Sequence, residues 1–543
     1  MRTGRKTLAM LLRQWVAAAA AGGLLLAGPA GAGTTFTVDS TADAADFGLD
    51  GNCSAVVGID PGPPIQLYFA CTLRAALQEA NHLPGEDTVV VPPGVYPLNV
   101  AVTTPDDAGG DLDVTDDVVI LGAGSALTRI DGSALAPDSI DEAVLEVSDL
   151  VAGGPPVHLK LRGVTLANGP TDGLLTDTNT SFDLVDVAIT GSGHYGIRKN
   201  GVFTDSLTLS RVADSTQAGI FSVEGSLRLE DSVVENNTGG VLNLRGALDV
   251  IRSTIRGNIG GSDGGIRHEG TALRVEHSTI EGNHAVQRGG GIRIESGAAP
   301  NLILASTVSG NSSDQDGGGV STYAPLTIAN STISGNQTNG NGGGVFATGS
   351  PAQVQIQSCT VYGNAADADA AGGGTGGGID QDYFSSITVR NSVLAANIAA
   401  PAAGRDCAGV PVSQGYNVIG IDDCGAFSAG LGDLEGSGSP LDVQLGPLAH
   451  NGSPTLTQLP APASPLVDRA TPTGCTIDDD GVSGTPDVPL LVDQRGRARP
   501  LDGNGDNVKR CDVGAVEVPE PAGAAAAVAA AATLAALARR RRA

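Results

Sequence analysis

Four aspartates have the residue type and the spacing that sugar chemistry needs. Cleavage of a glycosidic bond uses paired carboxylates, and elimination on an acidic sugar uses a base together with a cation that neutralises the sugar's acid group. Each of the four lies close to a recurring glycine–aliphatic pair, and they are Asp314, Asp316, Asp380 and Asp382. If the repeats stack, groups at equivalent positions come about 5 Å apart. These residues are the candidate catalytic groups, and the alternative is a solvated acidic face.

The register of neighbouring residues argues against a stack of carboxylates. The position four residues before the aliphatic residue holds Arg288, Asp316 and Asn341 in successive repeats. This order predicts a surface ion pair beside an amide, a contact worth about 0–1 kcal/mol. Aromatic residues make up only 3% of the chain, whereas ligand clefts are lined by aromatic side chains. The sequence leaves catalysis undecided and favours a role without it.

One segment offers oxygen ligands for a metal ion. Asp502-x-Asn504-x-Asp506 alternates such ligands in a glycine-containing loop, which suits Ca²⁺. Val513 stands at the twelfth position, where an EF-hand has a bidentate glutamate, so an ordinary Asx turn is the alternative. His194 and Lys199 flank one glycine–aliphatic pair and could form an acid–base pair, but we expect both on the surface.

A sequence repeat determines where these candidate residues lie in the fold. The phrase Ser-Thr-Ile-Arg-Gly-Asn at 253–258 recurs with small changes at 278–283, 306–311 and 331–336. The glycine–aliphatic pair recurs every 21 to 34 residues, with its aliphatic residue at Leu174, Ile197, Ile220, Val241, Ile266, Ile292, Val320, Val345 and Ile379. Such a period suits one coil of a right-handed parallel β-helix of roughly ten coils. Leucine-rich repeats are the competing solenoid, but the Leu-x-x-Leu-x-Leu frame is missing.

The repeated phrase also predicts the coil's interior. Polar and apolar residues alternate in segments such as Leu273-Arg274-Val275-Glu276, which sends the aliphatic side chains inward. Asparagine ends each phrase, and stacked coils place such residues about 4.8 Å apart, close enough for an amide ladder. The predicted ladder comprises Asn237, Asn258, Asn283, Asn311, Asn336, Asn364 and Asn397. The fold class is therefore all-β, a pectate-lyase-like parallel β-helix.

Seven cysteines occur, and all of them follow residue 50. Proximity along the chain suggests the pairs Cys53–Cys71, Cys407–Cys424 and Cys475–Cys511, with Cys359 left free. Sequence alone does not fix this connectivity. Disulfide bonds would fit an oxidising compartment outside the cytoplasm.

Two segments that flank the repeats resemble one family. Cys71-Thr72-Leu73-Arg74-Ala75-Ala76-Leu77-Gln78-Glu79-Ala80-Asn81 looks like the CSLREA motif of bacterial secreted β-helix proteins, with Thr72 for serine and Ala75 for glutamate. Its residues Leu73, Ala76, Leu77 and Ala80 make one apolar face of a short helix that could cap the open β-helix end. Asp493-Gln494-Arg495-Gly496, Arg499-Pro500 and 511–517 resemble the choice-of-anchor module of the same proteins. The resemblance implies an architecture, since the family's activity is largely undefined.

The two ends of the chain have the composition of targeting signals. Residues 1–32 have a basic start, an apolar run and a small-x-small exit at Ala32, as in a secretory signal peptide. Residues 518–543 resemble a PEP-CTERM sorting signal, with Pro519-Glu520-Pro521, an uncharged stretch of membrane-spanning length, and Arg539, Arg540, Arg541 and Arg542. The resemblance implies processing by an exosortase-type enzyme and at least transient membrane anchoring in a Gram-negative bacterium.

The charge composition of the chain limits the kinds of partner that it can bind. The chain has 59 acidic and 31 basic residues and a net charge of −28, which excludes the basic surface that nucleic acid requires. We divide the chain into a signal peptide (1–32), a cap (33–100), a β-helix (101–400), a disulfide-stapled C-terminal module (401–517) and the tail (518–543). The sequence favours an exported surface or matrix rod that serves adhesion or exopolysaccharide association. The alternative is a lyase or hydrolase that acts on acidic polysaccharide.

Overall fold

The chain winds into stacked coils whose strands pair in parallel with those of the next coil. The computed structural model describes residues 33–100, 110–135, 143–149, 154–296, 301–350, 352–400, 404–436, 439–472, 474–477 and 487–518. The predicted signal peptide and the tail from Pro519 onward lie outside these residues. Each coil passes through columns of strands that we name I, II and III, in that order along the chain. From the coil that begins at Leu273 onward, a further column, IV, lies between columns II and III.

Columns I and II form one continuous sheet of 26 strands. Column I contains Thr35–Thr37, Asp87–Val91, Val118–Gly122, Thr204–Thr208, Ser226–Glu230, Leu248–Ile251, Leu273–Glu276, Asn301–Leu304, Leu326–Ala329, Gln353–Gln357, Ser386–Arg390 and Val412–Ser413. Column II contains Gly94–Pro97, Thr128–Asp131, Arg211–Ala213, Val233–Glu235, Thr254–Arg256, Thr279–Glu281, Thr307–Ser309, Thr332–Ser334, Thr360–Tyr362, Val393–Ala395, Val418–Ile419 and Leu434–Glu435. Two long strands run through both columns, Val157–Ala167 and Thr180–Thr190.

Columns III and IV close the coil on its other sides. Column III is a sheet of 11 strands and carries the glycine–aliphatic pairs in register. Its strands are Leu112–Val114, Leu145–Val147, Leu174–Thr176, Ile197–Lys199, Ala218–Ser222, Gly239–Asn243, Ile266–His268, Ile292–Ile294, Val320–Thr322, Val345–Ala347 and Ile379–Gln381. Column IV contains His284–Ala285, Ser312–Ser313, Gln337–Thr338, Ala365–Ala366 and Ile398–Ala399. Parallel pairing therefore extends from Thr35 to Glu435, beyond the residues marked by the repeat.

Antiparallel pairing and helical structure are confined to a few places in the described residues. One hairpin joins Ala55–Asp60 to Gln66–Ala70, and a second joins Thr476–Ile477 to Val488–Pro489. The α-helix α1 spans Leu73–His82, and a single 3₁₀ turn spans Ala429–Leu431. No helix in this described part of the chain is long and apolar enough to cross a membrane.

The interior is an aliphatic column, interrupted at Lys199 and Asp205, because side chains alternate along each strand. Leu273 and Val275 are buried while Arg274 is exposed, as the alternation predicts. Glycine precedes each inward aliphatic residue for a steric reason. A Cβ on Gly291 would lie 2.6 Å from the carbonyl oxygen of Gly319 in the next coil. The paired glycines thus let consecutive coils approach closely at the entrance to column III.

A hydrogen-bonded asparagine column runs parallel to the axis. The seven asparagines of the repeated phrase lie at one position in successive coils, and each side-chain amide donates to the next Oδ1 over 2.9–3.0 Å. Asp406 ends the column, because its carboxylate accepts from the backbone N–H and side-chain amide of Asn397. Burial raises the pKa of Asp406 to about 6, against the lowering effect of these hydrogen bonds.

A serine column accompanies it, and Cys359 takes one position in that column. The backbone N–H of Ser306 donates to Ser331 Oγ, and the N–H of Cys359 donates to Ser392 Oγ. The Cys359 thiol is fully buried and lies 3.2 Å from the carbonyl oxygens of Ile328 and Gln357. Burial raises its pKa to about 12. Cys359 is thus a free thiol in a serine's place, and the six other cysteines form the three predicted disulfides.

The helix α1 covers the first coils with its predicted apolar face, and all four residues of that face are buried. Thr72 caps the helix by accepting from the N–H of Ala75. The motif also supplies two buried charged residues. Arg74 pairs with Asp43 at 2.7 Å and donates to the carbonyl oxygens of Gly110 and Asp111, and Glu79 accepts from two backbone N–H groups. The motif therefore ties the N-terminal loops to the β-helix end.

The C-terminal module folds back over column II. Gln494 is buried, its amide donates to Thr307 Oγ1 at 3.0 Å, and its Oε1 accepts from Thr332 Oγ1 at 2.6 Å. Two fully buried ion pairs lie behind this contact, Arg495–Asp493 at 2.7 Å and Arg499–Glu517 at 2.5 Å. The Asp-Gln-Arg-Gly segment is therefore a docking element of the module.

Candidate functional site

The outer face of column III brings together a carboxylate–aromatic cluster. The residue after the inward aliphatic residue of each strand in this column points outward, because successive side chains of a strand alternate between its two faces. Residues from the four coils between positions 288 and 384 meet here, and the cluster comprises Arg288, Asp316, Tyr323, Asn341, Phe346, Thr375, Asp380, Asp382, Tyr383 and Phe384.

A chain of polar contacts links Asp316 to Asp380 across three coils. Arg288 Nε lies 3.0 Å from Asp316 Oδ2, and Asp316 Oδ1 accepts from the backbone N–H and the amide of Asn341. Asn341 Oδ1 accepts from the N–H of Thr375, whose hydroxyl donates to Asp380 Oδ2 over 2.6 Å. This ion pair beside an amide is the arrangement that the positions of Arg288, Asp316 and Asn341 in successive repeats predict.

The three carboxylates of the cluster differ in their environment. Burial raises the pKa of Asp380 to about 6, and the charges of Asp316 and Asp382 add to the rise although the Thr375 hydrogen bond opposes it. Burial also raises the pKa of Asp382, but hydrogen bonds from Gly349 N–H, Thr348 and Phe384 N–H outweigh it and the net pKa is lowered. Asp380 can therefore exchange a proton at about pH 6 beside an ionised neighbour, which is the arrangement that acid–base chemistry uses.

Aromatic side chains surround these groups. The Arg288 guanidinium carbon lies 5.7 Å from the Tyr323 ring centroid and 5.9 Å from that of Phe346, within cation–π range. Tyr383 and Phe384 follow Asp382 directly, contact each other edge to face at 5.4 Å, and are 94% and 71% exposed. Asp382 holds their turn by accepting from Gly349 N–H and Phe384 N–H. The cluster thus presents two aromatic rings on a fixed turn.

The aromatic part of the cluster was missed from the sequence. Low aromatic content argued against a sugar site, but four of the chain's 17 aromatic residues, Tyr323, Phe346, Tyr383 and Phe384, belong to this cluster. Phe346 follows the aliphatic residue Val345 of its coil, a position that faces outward, and this spacing could have indicated it. Tyr383 and Phe384 lie in the turn after column III and carry no repeat signal.

The other candidate residues lie elsewhere. Asp314 is on the column IV side, where its Oδ1 is 3.8 Å from Nε2 of His284. Asp502 accepts from the N–H groups of Gly505, Asp506 and Asn507, and Asp506 Oδ1 accepts from Val508 N–H. These contacts are those of consecutive Asx turns, and Ca²⁺ binding at Asp502, Asn504 and Asp506 stays a prediction.

His194 is exposed, as we expected. Lys199 is buried, so the expectation that it lies on the surface was wrong, because strand alternation turns its side chain inward.

One further cluster of carboxylate side chains could hold a metal ion. Within the described residues, three sets of acidic or sulfur ligands lie within 4.8 Å of one another. Two of the sets contain disulfide-bonded cysteines, which are not available as ligands. The third comprises Asp111, Asp113 and Glu146 at the N-terminal end of column III, an oxygen set of the kind Ca²⁺ prefers.

Comparison with known proteins extends the description of the fold. Residues 264–438 match a family model described as a right handed beta helix region. No curated protein matches the chain. Among solved structures, the Azotobacter vinelandii mannuronan C-5 epimerase AlgE4 A-module is 18% identical, with 64% of this chain and 89% of that chain covered and a TM-score of 0.35. Pectate lyase Pel9A is 12% identical, with 82% and 91% covered and a TM-score of 0.34.

A third similar structure is the catalytic domain of a GH87 α-1,3-glucanase in complex with tetrasaccharides, which is 11% identical, with 67% of each chain covered and a TM-score of 0.34. Parallel pairing through the stacked coils, together with the family match, establishes the architecture. The chain is an all-β protein built on a right-handed parallel β-helix.

Proposed function

We propose that this is an exported cell-surface or matrix protein of a Gram-negative bacterium, and that it binds exopolysaccharide on column III without cleaving it. The observation that carries the proposal is the pair of exposed rings, Tyr383 and Phe384, held on the turn that directly follows Asp380 and Asp382. Exposed rings offer apolar faces on which sugar rings can stack, and the carboxylate of Asp382 beside them can accept hydrogen bonds from sugar hydroxyls. The disulfides fit an exported protein.

Export and retention belong to the same proposal and rest on the chain ends. The signal-like residues 1–32 would direct export, and an exosortase-type enzyme would process the tail after Pro519-Glu520-Pro521. The acidic body would then stand outside the membrane as a rod. Mass spectrometry of the protein from its membrane and culture fractions tests this, since a mature chain that still carries Ala32 or the terminal arginines would contradict it.

Removal of both exposed rings should weaken polysaccharide binding by at least about tenfold, because each stacked ring contributes roughly 0.5–1.5 kcal/mol beyond its buried area. The variant is Tyr383→Ala with Phe384→Ala, measured by affinity electrophoresis and calorimetry against a panel of acidic and neutral polysaccharides. The matched control is Tyr68→Ala, which removes an exposed ring from the Ala55–Ala70 hairpin. Equal loss in both variants would contradict a site on column III.

A second candidate function is enzymatic and rests on Asp380. Its raised pKa beside the ionised Asp382 resembles the pairing of an acid with a base. Release of new reducing ends, or absorbance of unsaturated products, in millimolar Ca²⁺ would establish cleavage. Cleavage that disappears in Asp316→Asn or Asp380→Asn would replace the binding proposal with a lyase or hydrolase.

Binding of an acidic polysaccharide should strengthen about three- to tenfold as pH falls from 7.5 to 5. Asp380 has a pKa of about 6, so its charge is lost across this range and repulsion from the ligand's acid groups falls. In Asp380→Asn this position is uncharged at both pH values, and this pH dependence should be absent. An unchanged pH dependence in that variant would assign the effect to other groups.

A further inference from the structure

A lysine and an aspartate are enclosed inside the β-helix. Lys199 ends a column III strand and Asp205 lies in the next column I strand, and alternation points both side chains into the interior. Their side chains are 0% and 1% exposed, and Lys199 Nζ lies 2.9 Å from Asp205 Oδ2. The equivalent column I positions in adjoining coils are Phe182, Leu227 and Leu248, so this carboxyl group interrupts an apolar column.

The amine is held by two carbonyl oxygens beside the carboxyl group. Lys199 Nζ donates to the carbonyl oxygens of Gly201 and Glu224. Asp205 Oδ2 lies slightly farther from Nζ than these two carbonyl oxygens, at 2.9 Å, and among the described residues it accepts no hydrogen bond of good geometry. A neutral amine has two N–H bonds and one lone pair. Once the amine has lost a proton, both remaining N–H bonds can point at these carbonyl oxygens, and the lone pair then faces the carboxyl group.

The carboxyl group is set up to accept an attack. Asp205 Oδ1 accepts from the backbone N–H of Phe182 over 2.6 Å, in the way that a backbone donor stabilises an oxyanion. Burial raises the pKa of Asp205 to about 6, against the Lys199 charge and the Phe182 hydrogen bond, and this favours the uncharged acid that amide formation needs. The absence of exposed surface keeps bulk water from both groups.

We propose that Lys199 and Asp205 condense after folding into an intramolecular isopeptide bond. A proton passes from the ammonium group to Oδ2, which gives a neutral amine and a carboxylic acid. Nζ then bonds to the side-chain carbonyl carbon of Asp205, and the negative charge that develops on Oδ1 is held by the Phe182 N–H. The bond to Oδ2 breaks, a second amine proton goes to the departing hydroxyl, and one water leaves. The bond replaces two buried charges with a neutral amide and closes the turn from column III to column I.

Mass spectrometry of the full-length purified protein tests the proposal. The intact mass should be lower by one water after allowance for the disulfides. Trypsin should not cleave after Lys199, and the peptide spanning 199–211 should be lighter by one water and give no fragment ions between Lys199 and Asp205. Reductive dimethylation of the denatured chain should leave Lys199 unlabelled.

Two variants separate the bond from other dehydrations. Lys199→Arg keeps the positive charge and should restore the full mass. In Asp205→Asn the same attack would expel ammonia, so the chain should be lighter by one ammonia. A folded wild-type chain with full mass and a labelled Lys199 would overturn the proposal and leave an ion pair. A water loss that persists in Lys199→Arg would also overturn it, since that result would place the dehydration elsewhere.

Discussion

Replacing Asn311 by alanine should lower the free energy of unfolding by about 4 kcal/mol, one of the largest effects of any single substitution in the coils. Asn311 is fully buried, and its Oδ1 accepts from both the backbone N–H and the side-chain amide of Asn283. Alanine leaves these two donors without a partner inside the protein, at roughly 1–3 kcal/mol each, and adds a cavity. Urea denaturation followed by circular dichroism measures the change.

The matched control for the asparagine column is Asn339→Ala. Asn339 lies in the turn after column IV, is partly exposed and is outside the column, so the change in unfolding free energy should be within about 0.5 kcal/mol. An Asn311→Ala variant that also stays within about 1 kcal/mol of wild type would contradict the assignment. It would show that the surrounding strands hold the coil without the amide ladder.

Replacing Arg499 by alanine should release the C-terminal module from column II. Arg499 and Glu517 are both fully buried, and removing one partner of such a pair costs about 3–5 kcal/mol because the other charge is left buried alone. Arg499 also donates to the carbonyl oxygens of Asp512 and Gly514. Hydrogen exchange across 487–518 should accelerate by at least about a hundredfold, with little change in the coils before residue 296.

Two other arginine variants check this prediction. Arg497 is exposed in the same loop, so Arg497→Ala should leave exchange unchanged. Arg499→Lys keeps the charge but loses the planar fork that reaches two carbonyl oxygens, and it should give an intermediate rate. Equal exchange in wild type and Arg499→Ala would show that Gln494 and the Cys475–Cys511 disulfide hold the module without the ion pair.

The sequence alone was sufficient to predict the coils. Because the repeated sequence changes little from coil to coil, equivalent residues lie at the same place in each coil. The alternation in Leu273-Arg274-Val275-Glu276 and the column of asparagines therefore follow from the spacing of the repeats. The ion pair of Arg288 with Asp316 followed in the same way, because register across coils is set by the glycine–aliphatic pair. Solenoid neighbours interact locally, and local interactions are readable from the repeat.

The residues that depart from the repeat could be placed only by the tertiary structure. Tyr383 and Phe384 stand outside the repeated phrase, and only the folded turn held by Asp382 sets them on the outer face of column III. Lys199 looked like a surface residue because its charge favours water, but strand alternation turned it inward, where Asp205 from the next strand meets it. The Asp-Gln-Arg-Gly segment contacts residues more than 160 positions earlier, at Thr332 and Thr307. Such contacts depend on how the chain returns over its own coils, and no spacing in the sequence encodes that return path.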